Sequence, residues 1–193
     1  TALCLLTLAI WGWPVWHAFI ESLPLTRHII IEAGATGWEK IQSPFAAVRQ
    51  WGGSIPAAYV VQAIVSALAI AAAALVARRS SMAVRGAAAL SAALLCTPYV
   101  LDYDFVLLGV AIAFMMADMA KRGTLRWEPT WLAYAWIAPL FGRAVSEMTL
   151  IPVDLIAAIA VLALATRRAI LLDGALANVR SWPFRRSHEE FVH

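Results

Sequence analysis

The stretch MAVRGAAALSAALLCTPYVLDYDFVLLGVAIAFMMADMA, residues 82–120, sets two long apolar runs on either side of a short junction carrying Asp102 and Asp104. Neither run alternates apolar and polar residues as a barrel strand would. Each approaches the length at which a helix crosses a bilayer, about 20 residues at about 1.5 Å per residue against a hydrocarbon core of about 30 Å. An unpaired peptide group in lipid costs several kcal/mol, which leaves helices as the state for such runs.

The rest of the chain follows the same logic. Of its 193 residues 62% are hydrophobic and 14% charged, with a mean hydropathy of +0.75. Soluble domains carry about 45–50% apolar residues, so this composition belongs to a membrane protein. Six runs are candidate spans: 2–19, 57–77, 82–101, 105–120, 130–145 and 150–166, the fourth and fifth short enough to need tilt or burial. The expected fold is therefore an all-α membrane protein of about six transmembrane helices. Residues 1–166 form the bundle, with one long outer loop over 20–56, and a basic cytoplasmic tail occupies 167–193. The chain begins inside an apolar run and without Met, which reads as a truncated N-terminus.

Lys and Arg set the orientation. If the junctions after the second, fourth and sixth runs face the cytoplasm, eleven of the fifteen basic residues lie there, leaving Arg27, Lys40, Arg49 and Arg143 outside. The net charge of +3 then reads as topology rather than as a nucleic-acid surface. Cys4 and Cys96 lie in apolar runs with no metal or redox spacing, and neither a metal nor a cofactor is expected. The loop, with Asp102 and Asp104, faces outward. Its apolar pieces at 29–31 and 45–48 read as short helices against the membrane surface. Trp11, Trp13, Trp16, Trp38 and Trp51 with Tyr99 and Tyr103 form an outer aromatic belt, while Trp182 and Phe184 among Arg180, Arg185 and Arg186 suit a tail lying on anionic lipid.

Two polar constellations carry candidate chemistry. Asp102 and Asp104, flanked by Tyr99 and Tyr103 and following Pro98, suit a hydroxyl-rich sugar: carboxylates accept from paired hydroxyls and a ring covers an apolar sugar face. Pro98 distorts the end of the third run, and its freed carbonyl would join the acids around a polar pocket. Asp104 reads equally as a helix N-cap. Arg49, with Arg27 and Lys40, suits a lipid-linked phosphate, or reads as rim arginine on lipid headgroups. Gln62, Arg143 and Asp154 lie in or at the edge of spans, where polar residues default to function. An Arg143–Asp154 ion pair is the structural reading of two of them. His17, at the outer end of the first run, reads as an interfacial side chain rather than a base, and His28 belongs to the loop.

The order W-x-x-F at Trp16–Phe19, then ESLPLTR (21–27), GWEKIQSPFAAVRQWGG (37–53), Gln62 and TPYVLDYD (97–104) resembles the C-terminal part of glycosyltransferase family 87. The resemblance covers most of the chain from Trp16 to about Leu108. It implies a GT-C-like bundle in the bacterial inner membrane. The enzyme would transfer a sugar, a hexose such as mannose, from a polyprenyl-phosphate donor to a lipid or glycan acceptor at the outer face. It places the catalytic base in an external loop upstream of this chain, so that the fragment alone would be inactive. Substrate contacts then fall to Arg49, Asp102, Asp104, Tyr99, Tyr103, Arg143, Lys40, Arg27 and Gln62. The competing classes are a transporter or permease fragment and a non-catalytic membrane subunit. The lack of a second copy of the spans weighs against transport.

Overall fold

The structure, a computed structural model, describes residues 2–173. Those residues fold as seven α-helices with short 3-10 and π-helical turns and no strand, the all-α membrane architecture expected. Four helical stretches are long and apolar enough to cross a membrane: Ala2–Glu32, Ile55–Arg79, Asp102–Arg122 and Val153–Leu172. The chain divides after Trp38 into two compact units.

The first unit is helix α1 (Ala2–Thr26) continued by a π-helical turn, Arg27–Glu32. Gly12, at φ +71°, breaks the helical path two residues before Pro14, which has no N–H to give. The first run thus extends seven residues past the expected end at Phe19. Within the turn Arg27 Nε lies 3.1 Å from Glu32 and His28 Nδ1 3.3 Å from it. Further on, Gly34 at φ +67° leaves room for the Trp38 ring, which a Cβ there would strike.

The second unit holds α2 (Pro44–Gln50), α3 (Ile55–Arg79), α4 (Met82–Cys96), α5 (Val106–Arg122), α6 (Glu128–Thr149) and α7 (Val153–Arg168). Helix α4 is its axis and packs on α3, α5 and α7. Small residues on its buried face, Ala87, Ala88, Ser91 and Ala92, bring the neighbouring backbones close, which is how helices gain contact in lipid. Helices α5 and α6 run to 17 and 22 residues, longer than the expected short spans.

The third run does not extend to Leu101 as a helix. Helix α4 stops at Cys96 because Pro98 lacks an N–H and its ring drives Thr97 to extended backbone, φ −96° and ψ 120°. Contrary to the expected polar pocket, the carbonyls of Leu95 and Cys96 at this break and of Pro98 and Val100 beyond it are taken up by the fold. Gln62 Nε2 donates to Leu95 O at 2.9 Å, Ser66 Oγ to Cys96 O at 3.5 Å, Ser43 Oγ to Pro98 O at 2.7 Å and Gln42 N to Val100 O at 2.9 Å. The remaining Gln62 capacity goes to Ser66 Oγ and to the Phe45 N–H. Protein covers this extended backbone: Val100 and Leu101 are buried, and Leu101 bridges to Ile41.

At the opposite end of this unit, four helix termini meet around one guanidinium. Arg168, fully buried, donates from Nε and Nη2 to the Glu128 carboxylate at 2.7 and 2.9 Å and from Nη1 to Asp118. Asp118 also accepts from Arg122 and from Ser81 Oγ at 2.6 Å, while Glu128 accepts the Leu125 N–H at 2.6 Å. The helix therefore carries Arg168, expected in the basic cytoplasmic tail, into the interior. A π-helical turn, Ala169–Asp173, follows it, and the tail aromatics and arginines lie outside the described residues.

Two substitutions test these joints. Gln62→Leu strands the Phe45 N–H and the Leu95 carbonyl, at a cost of about 1–3 kcal/mol each, and hydrogen exchange over residues 44–50 should accelerate; unchanged protection would remove Gln62 as the bracket. Arg168→Leu leaves Asp118 and Glu128 without their buried partner, a loss of about 3–5 kcal/mol that should lower the unfolding midpoint in detergent. Arg168→Lys should restore little, since an ammonium cannot bridge two carboxylates in a planar fork. A wild-type midpoint for Arg168→Leu would contradict this account.

Candidate functional site

Residues 41–53 form a strap over one end of the second unit, and local sequence explains its shape. Ser43 caps α2 by accepting the Ala46 N–H at 3.1 Å, and Pro44 follows at the first helical position, where no donor is missed. Two glycines close the other end. Gly53 N donates to Val48 O at 2.8 Å and Gly52 N to Arg49 O at 3.0 Å, the paired bonds of a Schellman ending. Gly52 supplies φ +81°, while a Cβ on Gly53 would strike Val48. Arg49 Nη1 donates to Gly53 O at 2.6 Å, which orients the guanidinium beside this turn.

The strap is fastened on both sides. Ile41–Gln42 pairs with Val100–Leu101, and Gln50 exchanges two hydrogen bonds with Ser146 of α6, Nε2 to the carbonyl at 2.9 Å and Oε1 from the hydroxyl at 3.1 Å. Trp51 Nε1 donates to Leu150 O at 2.8 Å. Phe45, Ala46 and Ala47 are buried in the protein, with Phe45 tilted 4.7 Å from the Tyr59 ring, so this short helix faces inward rather than lying on a membrane surface.

Beyond the strap's partner segment, the junction at 102–105 is a 3-10 turn. Both acids serve its backbone: Asp104 Oδ2 accepts the Leu101 N–H at 3.0 Å and Asp102 Oδ1 accepts the Tyr103 N–H at 2.9 Å. Asp104 thus reaches back to the residue before its own turn, the reverse half of a capping box. Each half-buried carboxylate keeps acceptor capacity beyond that bond. Tyr103 is exposed, with Tyr99, Asp102 and Asp104 in electrostatic reach. Asp102, Tyr103 and Phe105 face Trp136, Pro139 and Leu140 of α6 across a groove of about 360 Å³.

The expected Arg143–Asp154 ion pair is not made. Asp154 is fully buried in the first turn of α7, with neither carboxylate oxygen hydrogen-bonded, and presses on Gly142, where a Cβ would collide with it. Residue 143 lies about 100° further round α6, which carries its exposed side chain away from that contact. Asp102 is an electrostatic neighbour of Asp154, so three acids gather near this end of the unit.

The pairing of residues 41–42 with 100–101 joins the strap, which follows Lys40 and carries Arg49 beside Gly53 at its other end, to the segment that carries Tyr99, Asp102, Tyr103 and Asp104. Gln62 lies beneath both, its amide committed to Phe45, Ser66 and Leu95. Arg27, His17 and His28 belong to the first unit, where Arg27 pairs with Glu32 and His17 with Glu21 at 3.3 Å. Sequence reasoning overlooked Gln42 and Ser146, which fasten the strap together with Ser43 and Gln50. A Ser directly before Pro-Phe is a capping signal that was there to be read.

The family model of glycosyltransferase family 87 matches residues 1–101, a span that takes in the strap, Gln62 and the segment 97–101 and stops at the residue before Asp102. No curated protein and no solved structure matches the chain. The matched residues are more than half of the sequence, and the hydrogen bonds joining strap to segment lie within them. The chain belongs to glycosyltransferase family 87, a family of membrane glycosyltransferases.

Proposed function

We propose that this protein takes a hexose from a polyprenyl-phosphate donor and passes it to a lipid or glycan acceptor at the outer face of a bacterial inner membrane. The observation that supports this reading is the pairing of Gln42–Ser43 with Pro98 and Val100, which ties the segment that includes Lys40 and Arg49 to the one that continues into Asp102, Tyr103 and Asp104. Cations and a carboxylate–tyrosine cluster are the two chemistries that a sugar phosphate requires.

In the transfer, the bond from the anomeric carbon to the phosphate oxygen breaks and one to the acceptor oxygen forms. The acceptor hydroxyl gives its proton to a base, and polyprenyl phosphate leaves. Arg49 and Lys40, with Arg143, hold the charge that builds on the leaving phosphate. Asp102 and Asp104 accept from sugar hydroxyls, and Tyr99 and Tyr103 cover its apolar face. Gln62 acts on substrate through the strap it supports. None of these residues is assigned as the base. The end carrying the strap faces outward in this reading and the Arg168 end faces the cytoplasm, consistent with Arg78, Arg79, Lys121 and Arg122 lying at the latter.

The test is transfer from a radiolabelled polyprenyl-phosphate hexose in membranes carrying the protein. Arg49→Ala should lower transfer about tenfold or more and Arg49→Lys less, as expected when one cation at a leaving phosphate is lost. Protease resistance of the 41–53 strap should be compared in parallel, because Arg49 also holds Gly53. Undiminished transfer by Arg49→Ala would overturn the phosphate role. Solute uptake by vesicles without any sugar transfer would replace the enzyme reading with transport.

A further inference from the structure

Helices α3 and α7 both belong to stretches long and apolar enough to cross a membrane. They begin beside the strap, α3 at Ile55 and α7 shortly after Leu150, whose carbonyl Trp51 holds. They end together at the Arg168 cluster, because Ser81, just past the last residue of α3, shares Asp118 with Arg168. Between them lies a groove of about 730 Å³. Alanines open it: Ala69 and Ala72 on α3 and Ala163 on α7 stand where larger side chains would fill the space, and Leu95 and Leu162 complete the lining there.

The two ends of the groove differ. On α7 its lining runs from Ile159 to Thr166 and Arg167, and Ile170 and Leu171 carry it one turn further. From Ile159 to Arg167 the wall rises about 12 Å, so with that turn it spans about one leaflet, half of a hydrocarbon core of about 30 Å. Its inner end lies at Val65 and Leu95, near the depth where Gln62 takes the Leu95 carbonyl. Charge gathers at the other end alone. Arg167 lines the groove, gives one N–H to the Arg126 carbonyl at 2.7 Å and pairs with no carboxylate among the described residues. Arg78 and Arg79, both exposed, finish α3 about two turns beyond Ala72. The acids at this end, Asp118 and Glu128, are already taken by Arg122 and Arg168. The groove of about 610 Å³ between α5 and α6 has no charged lining residue.

We infer that the α3–α7 groove binds one anionic phospholipid of the leaflet at the Arg168 end, with acyl chain along the alanines and phosphate at Arg167. A guanidinium forks onto phosphate oxygens through charge-assisted hydrogen bonds, and each further cation near an anionic headgroup adds attraction. Charge selects the headgroup: arginines at the rim, with the neighbouring acids already paired, favour a net negative lipid over a zwitterion. Length selects the chain, since a polyprenyl chain, longer than one leaflet, would run past the end at Leu95. In that place the lipid braces α3 against α7, the helices that carry Gln62 and Arg168. Nothing in this binding requires sugar transfer.

The experiment places the full chain in phosphatidylethanolamine nanodiscs that hold photoactivatable phosphatidylglycerol as a minor component. Adducts should concentrate on groove-lining residues of α3 and α7 and not in the uncharged α5–α6 groove. They should fall about tenfold in Ala163→Phe, which fills the groove from an exposed position and leaves the packed interior alone. Arg167→Gln should lower them severalfold, as should Arg78→Gln combined with Arg79→Gln, two exposed positions remote from the packed core. Unlabelled phosphatidylglycerol should compete, and polyprenyl phosphate should compete far less. Added phosphatidylglycerol should also raise the unfolding midpoint of the wild type more than that of Ala163→Phe. Labelling spread evenly over the lipid-facing helices, full labelling of both Ala163→Phe and the arginine variants, equal competition by polyprenyl phosphate, or an equal rise in both midpoints would each overturn the inference.

Discussion

The second unit depends on how it settles the carbonyls released where α4 ends. In water a helix stopped by proline needs no help, but where protein buries the freed acceptors they need protein donors. Gln62 and Ser66 come from α3, Gln42 and Ser43 from the strap, so a defect in one helix becomes the reason that three separate segments hold together. The acids of the 3-10 turn then begin immediately after a stretch whose backbone is already fixed. Their positions follow from the break, because Asp104 is tied to Leu101 and Leu101 to Ile41.

The opposite end uses charge where this end uses amides and hydroxyls. Arg168 satisfies two carboxylates from different helices, and Ser81 adds α4 to the same cluster. Between these two polar ends the interior is apolar and rich in alanine, with packing as its means of cohesion. Such an arrangement leaves α5 and α6 free to part along their middle, since both are anchored near their ends: α5 through Asp118 and the 3-10 turn, α6 through Glu128 and Ser146.

Hydropathy located six helices because the length of an apolar run is a property of the chain alone. Where a run ends is not: Tyr99, Val100 and Leu101 are as apolar as the helix before them, and only Pro98 marked the change from helix to extended backbone. Side-chain partners were less legible still. Arg143 and Asp154 share a depth but not a helix face, and Arg168 looked like one more basic residue at the end of a span until α7 turned it inward. The candidate site fared better, since the strap and the segment 97–104 stood out separately by their polar and aromatic residues. Their contact required the backbone pairing of residues 42 and 100, which no local pattern encodes.

The Arg168 cluster bears on how such a chain is made. Glu128 leaves the ribosome forty residues ahead of Arg168, and at about 5–20 residues per second it waits a few seconds for its partner. Arg122 shields Asp118 from the start, but Glu128 has no such neighbour in the cluster until α7 arrives. During that interval the Glu128 carboxylate lacks the guanidinium that pairs with it in the folded chain. The arrival of α7 is thus what completes a cluster begun on the helices before it.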